Sequence, residues 1–314
     1  MITDNTTDRQ MEMIRHDVES LTGEICTLNL QESEKQIMRK GSGSIIICDA
    51  WYGFPTQKRP RRERILAVSK QIHNFIRWRR DHVNVNQKNL KNGLSTVLVI
   101  GKDGDVQAIR QRVEELLGKD AKTDNGNDCH CDCDCDCEME CIYLPGIKLE
   151  DLSKDLLASE TTAGQEEIIA YLSPDATEQI KASEVPPRIV VIGMLVDRKV
   201  QPNRSKIRAQ SLNQQSSSVY DDESSTHIRD VAIIPMQLPL DVLNVSDVST
   251  DEPLNIDTVM ELMERWWMNI KLKNGDSGAN RKLLFRDAAA RALLTHRQRH
   301  PNRTIHGGAS ESNR

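Results

Sequence analysis

Val190-Val191-Ile192-Gly193-Met194-Leu195-Val196-Asp197-Arg198 is an apolar, β-branched run that breaks at a glycine and ends on two charged residues. Preceded by Pro186-Pro187-Arg188, it reads as a short buried strand from Arg188 to Ile192 whose exit loop is polar. The same grammar recurs on both sides. Ile168 to Leu172 leads into Ser173-Pro174-Asp175, and Val231 to Ile234 leads into Met236-Gln237-Leu238-Pro239-Leu240. Upstream, Ile45-Ile46-Ile47-Cys48 ends at Asp49, and Val97-Leu98-Val99-Ile100 runs into the turn Gly101-Lys102-Asp103-Gly104. Between these strands the apolar spacing turns helical. Ile65, Val68, Ile72, Phe75 and Ile76 predict an amphipathic helix to Trp78. Ile109, Val113, Leu116 and Leu117 predict another that stops at Gly118, and Leu149 to Leu157 a third. Val259, Leu262, Met263 and Trp266 predict a helix over 256–270. Short continuous strands alternating with helices give an α/β fold, a mostly parallel sheet with helices on both faces.

With 314 residues and 38% hydrophobic content, the chain can form one substantial domain with tails. Residues 1–43 are polar and acidic in places and read as a disordered or helical tail. The domain spans 44–272, with a low-complexity Cys/Asp insertion at 119–141 and a long exposed polar loop at 199–230. Residues 273–314 form a basic, partly helical tail. A formal net charge of -5 and 4% aromatic residues exclude a uniformly basic nucleic-acid binder, so any RNA affinity is local. No apolar run approaches the roughly 20 residues that cross a bilayer. The first residues lack a secretory apolar core and are too acidic for a mitochondrial presequence, which leaves nucleus or cytoplasm.

Six of eight cysteines fall between Cys129 and Cys141, which is not a disulfide framework. Five of them at a strict period of two read as a repeat expansion, and no metal site is expected. If metal does bind, the pool is Cys129, His130, Cys131, Cys133, Cys135, Cys137 and Cys141. Gly101-Lys102-Asp103-Gly104 resembles the loop of KH RNA-binding modules. That loop joins two helices, whereas the residues before this one read as a strand.

In a parallel sheet the loops after 172, 192 and 237 gather at the carboxyl edge, where α/β proteins bind ligands. Singly, Gly193 and Pro239 do no more than shape turns, and Asp197 caps a helix or is solvated. In order, the Tyr-Leu-Ser strand end at 171–173, Ile192-Gly193-x-Leu195-Val196-Asp197-Arg198, Gln237-Leu238-Pro239-Leu240, and a final helix opened by Leu254-x-Ile256-x-x-Val259 resemble the tRNA purine-9 N1-methyltransferases of the SPOUT superfamily. Ile45-Ile-Ile-Cys-Asp49 and the basic segment Ser69 to Arg80 are similar to that family's opening strand and first helix.

The resemblance implies a SPOUT fold with a C-terminal trefoil knot, S-adenosylmethionine as cofactor, tRNA as substrate and a monomeric enzyme. It implies a cofactor pocket lined by Leu172, Ser173, Ile192, Gly193, Gln237, Leu238, Leu254, Asn255 and Asp257. Asp197 matches the family's candidate base, and Arg198 a contact to substrate or cofactor. The run Lys58-Arg59-Pro60-Arg61-Arg62-Glu63-Arg64 and the helix with Lys70, Arg77, Arg79 and Arg80 suit phosphate attraction, with Phe75 and Trp78 available for stacking or for the core. Met194, Gln237, Asn255 and Asp257 depart from the family pattern. The alternative function is therefore an RNA-binding scaffold of the same fold with weak catalysis.

Overall fold

The computed structural model describes residues 44–51, 54–86, 94–123, 141–152, 168–194, 203–216, 232–243, 254–273 and 277–299. Its elements in chain order are β1 (Ile45–Asp49), α1 (Lys58–Asn86), β2 (Thr96–Gly101), α2 (Asp103–Thr123), β3 (Ile142–Pro145), β4 (Ile168–Leu172), β5 (Glu178–Gln179), β6 (Ile189–Gly193), α3 (Arg204–Ser216), β7 (Ala232–Gln237), α4 (Ile256–Leu272) and α5 (Gly278–Arg299). The strands form one sheet in the order β3-β2-β1-β6-β4-β7-β5. Every pairing is parallel.

Alternate residues of each strand enter two separate cores. Ile46, Cys48, Val97, Val99, Ala170, Val190 and Ile192 face a cluster built from α1, α2, α4 and α5, including Val68, Ile72, Phe75, Ile109, Met260, Trp266 and Phe285. Ile45, Ile47, Leu98, Ile100, Ile169, Tyr171, Ile189 and Val191 are buried on the opposite side. That side also carries α3, whose Arg208 reaches Asp49. Burial on both faces is why these strands read as continuous apolar runs rather than alternating ones. Burial also pushes the Cys48 thiol well above its usual range, with the neighbouring Cys141 and Asp49 adding to it.

Proline is unusual inside a sheet, yet Pro235 lies in β7 opposite Tyr171. On its other side β7 pairs with β5 only at Met236 and Gln237. At Pro235 the strand is therefore an edge, where a missing N–H is tolerated. Gly101 closes β2 with φ 156°, and a Cβ there would lie 2.8 Å from Ala50 Cβ and 3.1 Å from Val106 Cγ2. Gly101→Ala is expected to lower stability by about 1–3 kcal/mol through overpacking, read as a lower denaturant midpoint with unchanged slope.

Four expectations need correction. Helix α1 begins at Lys58, so the basic run is helical; Pro60 is accepted because it lies in the first turn, where the N–H has no intrahelical partner. Gly118 does not end α2, which continues to Thr123, and His73 Nε2 contacts the Asp120 carboxylate at 2.8 Å beyond it. Helix α3 occupies 204–216, inside the expected polar loop. Its apolar face is only Ala209 and Leu212, and Asn213 fixes it to β7 by donating to the Ile233 carbonyl (2.6 Å) and accepting from the Ile233 amide (3.0 Å). Finally, the helix within the expected basic, partly helical tail is α5, and it is part of the domain. It packs Leu284, Phe285, Ala288, Ala289, Ala292 and Leu293 into the core beside α4.

Gly101 and Lys102 join a strand to a helix, as a βα unit requires and a KH loop does not. Of the helix expected over 149–157, a 3-10 turn covers Leu149–Asp151. Residues 153–157, the tail 1–43 and the cysteine run from Cys129 to Cys137 lie outside the described residues. Among the described residues no helix is long and apolar enough to cross a membrane.

Candidate active site at the carboxyl edge of the sheet

The β6-β4-β7 order brings three expected cofactor loops to one edge. Leu172 at the end of β4 is level with Ile192 on β6 and with Met236 on β7. The Ser173 amide donates to the Met236 carbonyl at 3.0 Å. The loops after β4 and β7 are then stitched together, because Gln237 Nε2 donates to the Pro174 and Ala176 carbonyls (2.8 and 2.7 Å). The Ile180 amide returns a bond to the Gln237 carbonyl at 2.9 Å. Leu172, Ser173, Ile192, Gly193, Gln237 and Leu238 thus occupy the ends of three adjacent strands. The Gln237 side-chain amide braces the loop after β4.

Asp49 stands at the same edge. It is fully buried and level with Gly193, and its carbonyl accepts from the Met194 amide at 2.9 Å. Its carboxylate accepts from the Trp51 amide (2.8 Å) and the Tyr171 hydroxyl (3.0 Å), with Arg208 Nε at 3.4 Å. Arg208 also reaches Glu150 at 3.5 Å, and Trp51 Nε1 donates to the Ile147 carbonyl at 2.6 Å. Tyr171 is level with Val191, two residues before Gly193, so the three share a sheet face. The Tyr171 hydroxyl thus reaches Asp49 across β6, the strand between β4 and β1. Sequence reading placed Asp49 only at a strand end. Apart from the local Trp51 amide, its side-chain partners Tyr171 and Arg208 lie 122 and 159 residues away, and no local spacing signals them. Tyr171→Phe leaves Asp49 two donors and is expected to cost about 1 kcal/mol, measurable by urea denaturation.

The last expected cofactor segment begins α4. Leu254 is partly buried, and Asn255 precedes the helix without a side-chain capping bond. The cap comes instead from α1, whose Gln71 Oε1 accepts the Ile256 amide at 2.6 Å. Asp257 is fully buried and its carboxylate accepts from Asn74 Nδ2 (3.1 Å), Arg299 Nη1 (3.3 Å) and the Thr258 amide (3.0 Å). This corrects its expected place as a pocket wall: its oxygens hold three helices together. Asp197 and Arg198 lie outside the described residues.

On α1, Arg59, Arg62, Lys70, Arg77 and Arg80 are exposed. Helical spacing puts them on one solvent-facing stripe that runs about 30 Å. Arg64 is half-buried, and Arg61 is held by Asp105 (2.9 and 2.7 Å). Arg79 is a correction. It is buried, pairs with Glu264 at 2.5 Å and stacks over the Phe75 ring at 4.8 Å, so it faces the core and not a phosphate. Phe75 and Trp78 are core residues as well.

No family model and no curated protein matches the chain. Among solved structures it is similar to the crystal structure of full-length spTrm10 in complex with SAH, with 14% identity and a TM-score of 0.43, covering 80% of this chain and 95% of that chain.

Proposed function

We infer that the protein is an S-adenosylmethionine-dependent tRNA methyltransferase acting on purine N1 at position 9, guanine first and adenine as the alternative. The observation that supports it most is the β6-β4-β7 adjacency. It gathers Leu172-Ser173, Ile192-Gly193 and Gln237-Leu238, which the sequence resemblance had ordered along the chain, at the ligand-binding edge of a parallel sheet. In this reading the segments after β6 and β7 tie a trefoil knot around the cofactor, the enzyme works as a monomer in nucleus or cytoplasm, and the exposed stripe on α1 attracts tRNA phosphates.

The cofactor supplies a sulfonium methyl group. The chain's own task is to align that carbon with purine N1, and apolar strand ends suit an adenine face. Guanine N1 must lose a proton as the methyl arrives, and Asp197, four residues beyond Gly193, is the group to accept it. Arg198 contacts the substrate phosphate or the cofactor carboxylate. N1 lies on the pairing edge, so the nucleotide must leave its stack before reaction.

Incubation with tRNA transcripts and methyl-labelled S-adenosylmethionine, followed by mapping of reverse-transcription stops, tests the reading. A stop at position 9 is expected. Binding of tRNA without methyl incorporation would select the scaffold function.

A further inference from the structure

We propose that Arg299 and His296, at the end of the C-terminal helix, are positioning residues for the cofactor segment that opens α4. The proposal rests on the methyltransferase reading above. Two helices, α1 and α5, converge on the first turn of α4. From α1, Gln71 takes the Ile256 amide and Asn74 binds Asp257. From α5, Arg299 divides its guanidinium between two carboxylates, with Nη1 3.3 Å from Asp257 and Nη2 3.1 Å from Glu261. His296 Nδ1 lies 2.9 Å from the Thr258 hydroxyl.

Both carboxylate side chains are wholly buried, so the turn they sit on is stable only with this cationic and polar cover. Burial holds the Glu261 carboxyl above its ordinary range, even against Arg265, Thr295 and Arg299. The Asn255 side chain provides no cap to the helix. Within α4 the Val259 amide donates to the Asn255 carbonyl at 3.0 Å, and the Ile256 amide is held from α1 by Gln71. Arg299 is the one of these ties that grips two successive turns of α4 at once, through a planar fork that lysine cannot reproduce. It lies 42 residues from Asp257 in a stretch that reads as a basic tail.

Arg299→Lys keeps the charge beside the two acids and removes the fork. His296→Gln is the second variant, and Arg291→Lys, whose partner Asp287 is on the same helix, is the control. Binding of S-adenosylhomocysteine by calorimetry, steady-state kinetics with tRNA, and amide exchange are measured on the full chain. Arg299→Lys is expected to weaken binding at least fivefold and raise KM for S-adenosylmethionine in proportion, with kcat within twofold and KM for tRNA unchanged. Exchange should quicken over Ile256–Val259 alone, and the control should move nothing. Unchanged binding in both variants overturns the proposal while leaving the methyltransferase reading intact, as does exchange that quickens throughout the sheet. A wild-type protein that binds no S-adenosylhomocysteine overturns both.

Discussion

Arg79→Ala is expected to lose about 3–5 kcal/mol of stability, a large share of the 5–15 kcal/mol of a folded domain. Glu264 is buried on α4, and its Oε1 accepts from the Ser95 amide at 3.0 Å. Its Oε2 accepts from Arg79 at 2.5 Å and from the Ser95 hydroxyl. Arg79 also donates to the Ser95 carbonyl at 2.9 Å. Truncation strands a carboxylate at the junction of α1, α4 and the start of β2, where water cannot replace the guanidinium. The double variant Arg79→Met/Glu264→Gln is expected to recover most of the loss. The amide still accepts from Ser95, and no uncompensated charge remains. Denaturant titration of the three proteins checks this, and a loss below about 1 kcal/mol for Arg79→Ala would show that the position is wet.

Asp197→Asn is expected to slow guanine methylation by about 100- to 10,000-fold, the range of a lost general base. The loss should be largest at low pH and shrink as pH rises. Under the proposed mechanism the wild-type carboxylate takes the N1 proton as the methyl group arrives. In the variant the reaction depends on guanine already deprotonated in solution, a fraction that grows with pH. Single-turnover rates between mildly acidic and mildly alkaline buffer give the comparison. A constant ratio would reduce Asp197 to an orienting group.

The parallel sheet is legible in the sequence because its central strands are covered on both faces. Ile45 to Cys48, Val97 to Ile100 and Ile189 to Ile192 are apolar at every position, and such runs have few other uses. Strand β3 is not legible. Its four residues contain one β-branched side chain and follow a run of cysteine and aspartate. Helix α3 hides for a related reason, since a sequence rich in Gln, Ser and Asn with two buried apolar residues looks like a loop until β7 supplies a partner for Asn213. The strand-end loops of the candidate site were readable as polar breaks after apolar runs. The Asp49–Tyr171 bond, the capping of α4 by Gln71 and the burial of Arg79 were not, because each depends on which helix lies against which. Composition labels Arg79 and Arg77 alike, and only the packing of α1 separates a core cation from a surface one.

The sheet ends abruptly on both sides: β5 has two residues, and β3 has four of which the last, Pro145, carries no N–H. An open edge is a template on which another chain can add a strand, and aggregation often starts there. Here β3 and β5 are too short for cooperative pairing, and the part of β7 that β5 leaves uncovered is interrupted by Pro235. Self-assembly by strand addition is disfavoured by this shortness and by the exposed Glu178 on β5, which leaves helical faces and strand-end loops, among the described residues, for a macromolecule to hold.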